Sequence, residues 1–175
     1  MTESLWGQIA ADWRAHGRDW TKPGFRAVAV HRFGVWRMMI RPKPLRAPFS
    51  LLYGMLYRHC RNRYGIELPY TVRLGRGVII EHQGAIVVHG ACEIGDGCII
   101  RQGCTLGLRR LDDLTAAPIL EDDVQLGAGA VVLGRIRLER GARVGANAVV
   151  LHDVPAGTTV WGIPARAARP DRAKC

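Results

Sequence analysis

The sequence predicts a mainly β protein: a parallel β-helix of hexapeptide repeats with an N-terminal α-helical cap. Three observations point there. A six-residue beat runs through the C-terminal two-thirds, glycine recurs just after that beat, and the first third places its apolar residues at helical spacing.

Leu74, Ile80, Ile86, Cys92, Cys98 and Cys104 fall six apart, and a second row follows two residues later at His82, Val88, Ile94, Ile100 and Leu106. A later block repeats the pattern with Leu126, Val132, Leu138, Val144 and Val150, preceded by Val124, Ala130, Ile136, Ala142 and Ala148. A fixed short period means stacked units, each burying its apolar face against the next. Gly75, Gly95, Gly107, Gly127 and Gly145 stand where corners need small residues. Three hexads make one triangular coil, so residues 68–107 and 119–156 supply about four coils and a prism about 20 Å tall. On this count His82 replaces an aliphatic residue in its row, which marks it as a site candidate.

The beat breaks between Leu106 and Leu120. Residues 108–118 therefore read as an extruded loop, a place where function is often carried.

In the first third, Phe25, Val28, Phe33, Trp36 and Met39 can share one helix face that ends at Pro42 and Pro44. A second helix is expected from about Phe49 to Asn62. Together they would cover the open end of the prism, which otherwise exposes unpaired strand edges. The expected organisation is a cap over 1–66, a β-helix over 67–168 with its loop at 108–118, and a tail over 169–175. No run of about 20 apolar residues exists, so no spanning helix is expected. Arg14 and Arg18 follow a short polar start, so no secretory leader is expected either.

The charge is lopsided. Residues 1–66 hold 12 Lys/Arg against 3 Asp/Glu, a charge of +9, whereas the rest holds 13 against 12, together the +10 of the whole chain. The basic excess suits a peripheral contact with an anionic surface. The cap has no nucleic-acid-reading motif and its aromatics fall at core spacing, so nucleic acid is not an expected partner. The cysteines show no disulfide pattern. Cys92, Cys98 and Cys104 share one row on successive faces, where they serve as small core residues and do not converge on a metal. They fit the cytoplasm, and Cys175 is expected as an exposed free thiol.

Specific motifs sit on this scaffold: Gly65-Ile66-Glu67-Leu68-Pro69-Tyr70, then Leu74 to Val88 with Glu81-His82-Gln83-Gly84, then Gln102-Gly103-Cys104-Thr105-Leu106-Gly107, and the exit Gly162-Ile163-Pro164-Ala165-Arg166. In this order they resemble the serine O-acetyltransferases, a family of hexapeptide-repeat acyltransferases, over about residues 65–168. The resemblance implies a left-handed β-helix, the exception to the usual right-handed crossover. It also implies a cytoplasmic homotrimer that transfers an acetyl group from acetyl-CoA to a small-molecule hydroxyl, with no metal.

The resemblance also assigns residues. His82 matches the catalytic base, which a hydroxyl needs because it is a poor nucleophile at neutral pH. Glu67 matches the carboxylate that orients the imidazole, a glutamate where the family has an aspartate. Glu81 matches a second acidic position at the substrate, and Asp19, with Asp12 close by, matches the acidic cap residue that meets it. Gly107, Ala128, Ala146, Ala165 and Arg166 match positions lining the CoA groove between neighbouring subunits. A backbone N–H near Gly107 would face the developing oxyanion.

The sequence also departs from the family. An Arg-His pair that helps hold the amino acid is replaced by Ala116 and Ala117. The terminal isoleucine that inserts into a sulfhydrylase partner is absent, and the cap is shorter, as in members associated with exopolysaccharide pathways. A sugar or other metabolite hydroxyl is therefore the alternative acceptor. Two other classes compete: a metal hydrase, which would need His82, His89 and His152 to converge, and an inactive scaffold, against which Glu67 and His82 argue.

Overall fold

A six-residue unit has room for only a short strand, because the rest of it turns a corner. In the computed structural model, which describes residues 4–167, the strands are accordingly two or three residues long. They stack into three faces. The first holds Ile66–Glu67, Ile86–Val88, Thr105–Gly107, Val131–Leu133 and Val149–Val150. The second holds Arg73–Leu74, Glu93–Ile94, Ile119–Leu120 and Arg137–Leu138. The third holds Ile79–Ile80, Ile99–Ile100, Gln125–Leu126, Arg143–Val144 and Thr159–Trp161, with Arg166–Ala167 closing its end antiparallel. All other pairings are parallel, and the chain visits the faces in turn.

The coils are not all of one length, and this corrects the row count. Leu74 lies opposite Ile94 and Ile80 opposite Ile100, an offset of 20 residues, whereas Val88 lies opposite Leu106, an offset of 18. The first coil therefore carries two extra residues between Ile80 and Val88. The inward row runs Leu74, Ile80, Val88, Ile94, Ile100 and Leu106, and the row beside it runs Val72, Val78, Ile86, Cys92, Cys98 and Cys104. Because the rows are two residues apart, a two-residue insertion exchanges them without breaking the six-residue count. His82 is therefore not a substituted core residue. It stands in the widened corner, exposed, with φ of +66°. The second irregularity is larger. Ile94 faces Leu120 and Ile100 faces Leu126, an offset of 26, so eight extra residues bulge out as the loop over 108–118. Asp113 ties that loop to the next coil through Arg135 at 3.1 Å.

The three row cysteines are core residues, as expected. Cys98 donates to the Glu121 carbonyl at 3.1 Å and Cys104 to that of Gly127 at 3.2 Å. Burial pushes the Cys98 thiol up to about 11 and that of Cys92 up to about 12, so both stay neutral and inert.

The cap has three helices: α1 (Leu5–Ala15), α2 (Pro23–Arg37) and α3 (Lys43–His59), the last running into a π-helical turn at Cys60–Tyr64. Helix α1 was not expected. Its signal was Ser4, whose side chain accepts the Gly7 N–H at 3.2 Å as an N-cap. Helix α3 begins six residues earlier than expected because Pro44 sits in its first turn, where no N–H is needed. The single apolar face expected of α2 is split. Phe25 and Val28 are buried on the prism, Phe33 and Trp36 stack with each other and against Phe49, and Met39 is exposed. The side of α2 that meets the coil is built instead on Gly24, Ala27, Val28 and His31. No helix among the described residues is long and apolar enough to cross a membrane. The expected tail, with Cys175, lies outside the described residues.

The cap satisfies the strand edge it covers. His16 accepts the Ile80 N–H on Nε2 at 3.2 Å while its Nδ1–H donates to the Asp12 carbonyl at 2.7 Å. His31 donates Nε2–H to the Val72 carbonyl at 3.0 Å, and Arg32 donates to the carbonyls of Leu74, at 2.7 Å, and Gly75. A Cβ on Gly24 would run into the Ile80 carbonyl, so only glycine permits this approach.

Burial holds the His31 imidazole down at about 4, against 6.5 for the free side chain. The folded value lies below the unfolded one, so the unfolded chain takes up the extra proton. Stability is then whole above about pH 6.5 and falls toward pH 4, by about 3 kcal/mol in all. Thermal melts across that range should show the loss, and His31→Gln, which keeps a donor for Val72 without titrating, should reduce it, leaving the share of His16, whose pKa burial also lowers.

Candidate active site

The corner between the third and first faces is a column of turns whose lower rungs carry small residues. Its rungs are His82 to Gly84, Arg101 to Gly103, Gly127 to Gly129 and Gly145 to Asn147. Hydrogen bonds of 2.8 Å link them: Gly103 N–H to Gly84, Gly129 N–H to Gln102 and Asn147 N–H to Ala128. A Cβ on Gly127 would lie 2.6 Å from the Ala146 nitrogen, which explains why this edge stays small. Below it, Val149 N–H reaches the Gly162 carbonyl at 3.0 Å and Ala165 N–H reaches that of Val149 at 2.8 Å. His82, Ala128, Ala146 and Ala165 therefore share one edge. It spans four rung spacings, about 19 Å, with His82 at the cap end and exposed Arg166 at the other.

At the cap end the α1–α2 turn and the first coil enclose a cleft of about 430 Å³ lined by His16, Gly17, Lys22, Gly24, Glu81 and His82, among others. His82 makes no side-chain hydrogen bond among the described residues. Glu67 lies on the outer surface of the first face, paired in register with Val87, and its carboxylate accepts from Tyr57 Oη at 3.3 Å. Burial and then the Glu67 charge push the Tyr57 phenol up to about 12, so it remains a donor. His82 and Glu67 occupy neighbouring rungs with no direct bond in the single chain.

The other candidates divide. Glu81 is in the cleft, but Arg101 from the next rung holds it at 2.8 Å. Asp19 turns its carboxylate onto its own loop, accepting from Thr21 N at 2.8 Å and Thr21 Oγ1 at 2.5 Å. These bonds hold the Asp19 carboxyl below its ordinary value. Asp12 is buried against Arg32 at 2.9 Å and is out of reach of the cleft. Gly107 lies on a different edge, between the first and second faces, at the root of the loop with Ala116 and Ala117. The Ala117 side chain is buried in the core. His89 and His152 belong to that edge too, away from His82.

Sequence reasoning missed Arg101, Lys22 and His16. Arg101 follows Glu81 by 20 residues, so its signal is the length of the first coil. Lys22 and His16 reach the cleft only through the packing of α1 and α2, which no repeat pattern encodes. In chemical terms the cleft offers a free imidazole beside a carboxylate–guanidinium pair and a lysine, at the head of an edge with exposed backbone. That arrangement suits deprotonation of a small polar molecule beside an extended ligand lying along the edge.

No family model matches the chain. The serine acetyltransferase of Synechococcus elongatus is 38% identical over 144 residues, 82% of this chain and 56% of that protein. A soybean serine acetyltransferase solved in complex with serine superposes with a TM-score of 0.80 at 32% identity, covering 94% of this chain and 70% of that one. A Brucella abortus serine acetyltransferase in complex with coenzyme A gives 0.78 at 26% identity, covering 91% and 66%. The chain spans between 47% and 61% of the length of the first curated relatives it matches. Its coil is the left-handed hexapeptide β-helix of these proteins.

Proposed function

The chain belongs to the serine acetyltransferase family, and we propose that it is an acetyl-CoA-dependent O-acetyltransferase acting on the hydroxyl of a small molecule. The observation that carries this reading is His82 at the head of the small-residue edge, open to the cleft. His82 takes the hydroxyl proton as the oxygen attacks the thioester carbonyl. The tetrahedral intermediate then collapses, the C–S bond breaks, and the imidazolium returns the proton to the departing thiolate. Glu67 steadies the imidazolium. The extended arm of CoA lies along Ala128, Ala146 and Ala165, where small side chains leave the backbone open, and Arg166 meets a phosphate.

Gly107 and the loop lie one edge away from His82, so one chain supplies two half-sites. A threefold assembly sets the Gly107 edge of one subunit against the His82 edge of the next. The mass in solution should therefore be about three times 19.3 kDa, and a fully active monomer would refute the shared site. The working place is the cytoplasm, in keeping with four buried cysteines that remain free thiols. The +9 charge of residues 1–66 suits an anionic surface.

Serine is the first acceptor to test, since the family is built on it. A second reading, a sugar or other metabolite hydroxyl, is favoured by Ala116 and Ala117, neither of which can hold a carboxylate. A missing charge-assisted hydrogen bond costs about 1.5–3 kcal/mol, roughly ten- to a hundredfold in affinity. Thiol release from acetyl-CoA, measured against amino acids, sugars and alcohols, tests both readings. L-Serine should show a KM in the millimolar range or above. A sub-millimolar KM would mean that Lys22 or Arg101 replaces the lost pair, and no release with any acceptor would overturn the activity.

A further inference from the structure

Helix α3 has two unlike faces. Toward the protein it sends Tyr53, which is buried and accepts the Tyr70 N–H at 3.1 Å, and Tyr57, which reaches Glu67. Toward solvent it sends Leu45, Pro48, Leu51, Leu52, Met55 and Leu56, spaced so that they form one stripe. Leu51 is 71% exposed, Leu45 62% and Met55 56%. No charged residue falls between Arg46 and Arg58. Met39, at the α2–α3 corner, is also 65% exposed. A helix packed on one side ordinarily shows polar residues on the other. A contiguous apolar face of this kind marks a docking surface.

Charge identifies what covers it. Residues 20–66 hold ten Lys/Arg and not one Asp/Glu. Two copies of α3 placed face to face would set basic surface on basic surface with no carboxylate among residues 20–66 to offset it, which opposes self-pairing. The stripe also carries no hydrogen-bonding side chain with which to specify a protein partner. An anionic lipid surface meets both features. The apolar face can sink about 5–10 Å to the headgroup–acyl boundary while basic side chains reach the phosphates. At the C-terminal end of α3, an open groove of about 470 Å³ is framed by Met55, Arg58, His59, Asn62 and Arg63, placing cations beside the apolar stripe. Helix α3 has 17 residues and is about 26 Å long, and no described helix is long and apolar enough to span, so it lies along a bilayer.

We propose that α3 docks this protein on an anionic membrane surface, its Leu51–Met55 stripe facing the acyl chains and Arg58 and Arg63 in the headgroups. The proposal does not depend on the chemistry assigned to His82.

Co-sedimentation of the full chain with vesicles tests it. Vesicles of phosphatidylcholine containing about one-third phosphatidylglycerol should bind the protein, and vesicles of phosphatidylcholine alone should not. Moving from low to high salt should weaken binding by about tenfold or more. The double variant Leu51→Asp with Met55→Asp should also lose about tenfold or more, with an unchanged melting temperature and unchanged thiol release. Equal binding by the variant, or equal binding to neutral vesicles, would overturn the proposal. So would a solution mass of twice a trimer that the same variant halves, because a second copy would then own the stripe. Vesicle binding without acetyl transfer would leave this proposal standing and remove the one about activity.

Discussion

His82→Ala is expected to lower kcat by about 10²- to 10⁴-fold while leaving CoA binding intact, the usual size of a general-base contribution. The cleft offers no second imidazole able to take over. His16 has its Nδ1–H committed to Asp12 and its Nε2 committed to the Ile80 N–H, and burial holds its pKa below the usual histidine value. Both of its ring nitrogens are engaged in holding the cap on the coil. The backbone complicates one reading of the variant, because His82 has φ of +66°, a region alanine tolerates poorly. His82→Asn removes that complication, since asparagine accepts the left-handed conformation but cannot act as a base. The asparagine variant should melt within a degree or two of the parent, and both variants should lose turnover alike. Glu67→Gln should lose less, because it weakens the support of the imidazolium and leaves the base in place. If either His82 variant keeps near-normal turnover, another group is the base.

The prism was legible because its packing is local and periodic. Each inward residue meets its counterpart one coil away, so the rows in sequence are the rows in space, and the long loop shows up as a break in the count. What the sequence concealed follows from the same regularity. Two extra residues in the first coil exchanged two rows that both look aliphatic, so His82 stood out in a row it does not occupy. Its real distinction is a widened corner beneath the cap. The helices were less legible because their contacts reach across the chain. Gly24 is a glycine because of the Ile80 carbonyl, and Asp12 is buried because of Arg32, 20 residues later. Arg101 beside Glu81 was hidden for a third reason, since its 20-residue spacing belongs to one coil only.

Asp12→Ala should cost about 3–5 kcal/mol, because it leaves the Arg32 guanidinium buried without its anion. Asp12 is 1% exposed in its side chain and Arg32 7%, so water cannot replace the lost partner. Arg32 would keep the carbonyls of Leu74 and Gly75, which are dipoles and do not neutralise it. For a domain of this size the fall in Tm should be about 6–20 °C. The loss should begin at the cap, because Asp12 also accepts through its carbonyl from His16, and His16 in turn holds the Ile80 N–H. Hydrogen exchange at Ile80 should therefore quicken well before exchange at Ile100 or Leu126 on the coils below. The cleft should loosen with it, since His16 and Lys22 form the wall opposite His82, and the KM for the acceptor should rise more than kcat falls. Removing both charges, as Asp12→Leu with Arg32→Met, should recover part of the stability but not all of it, since the two carbonyls lose their donor. A melting temperature within a degree of the parent for Asp12→Ala would mean that the ion pair does not hold the cap, and that the seat of Gly24 on Ile80 is sufficient by itself.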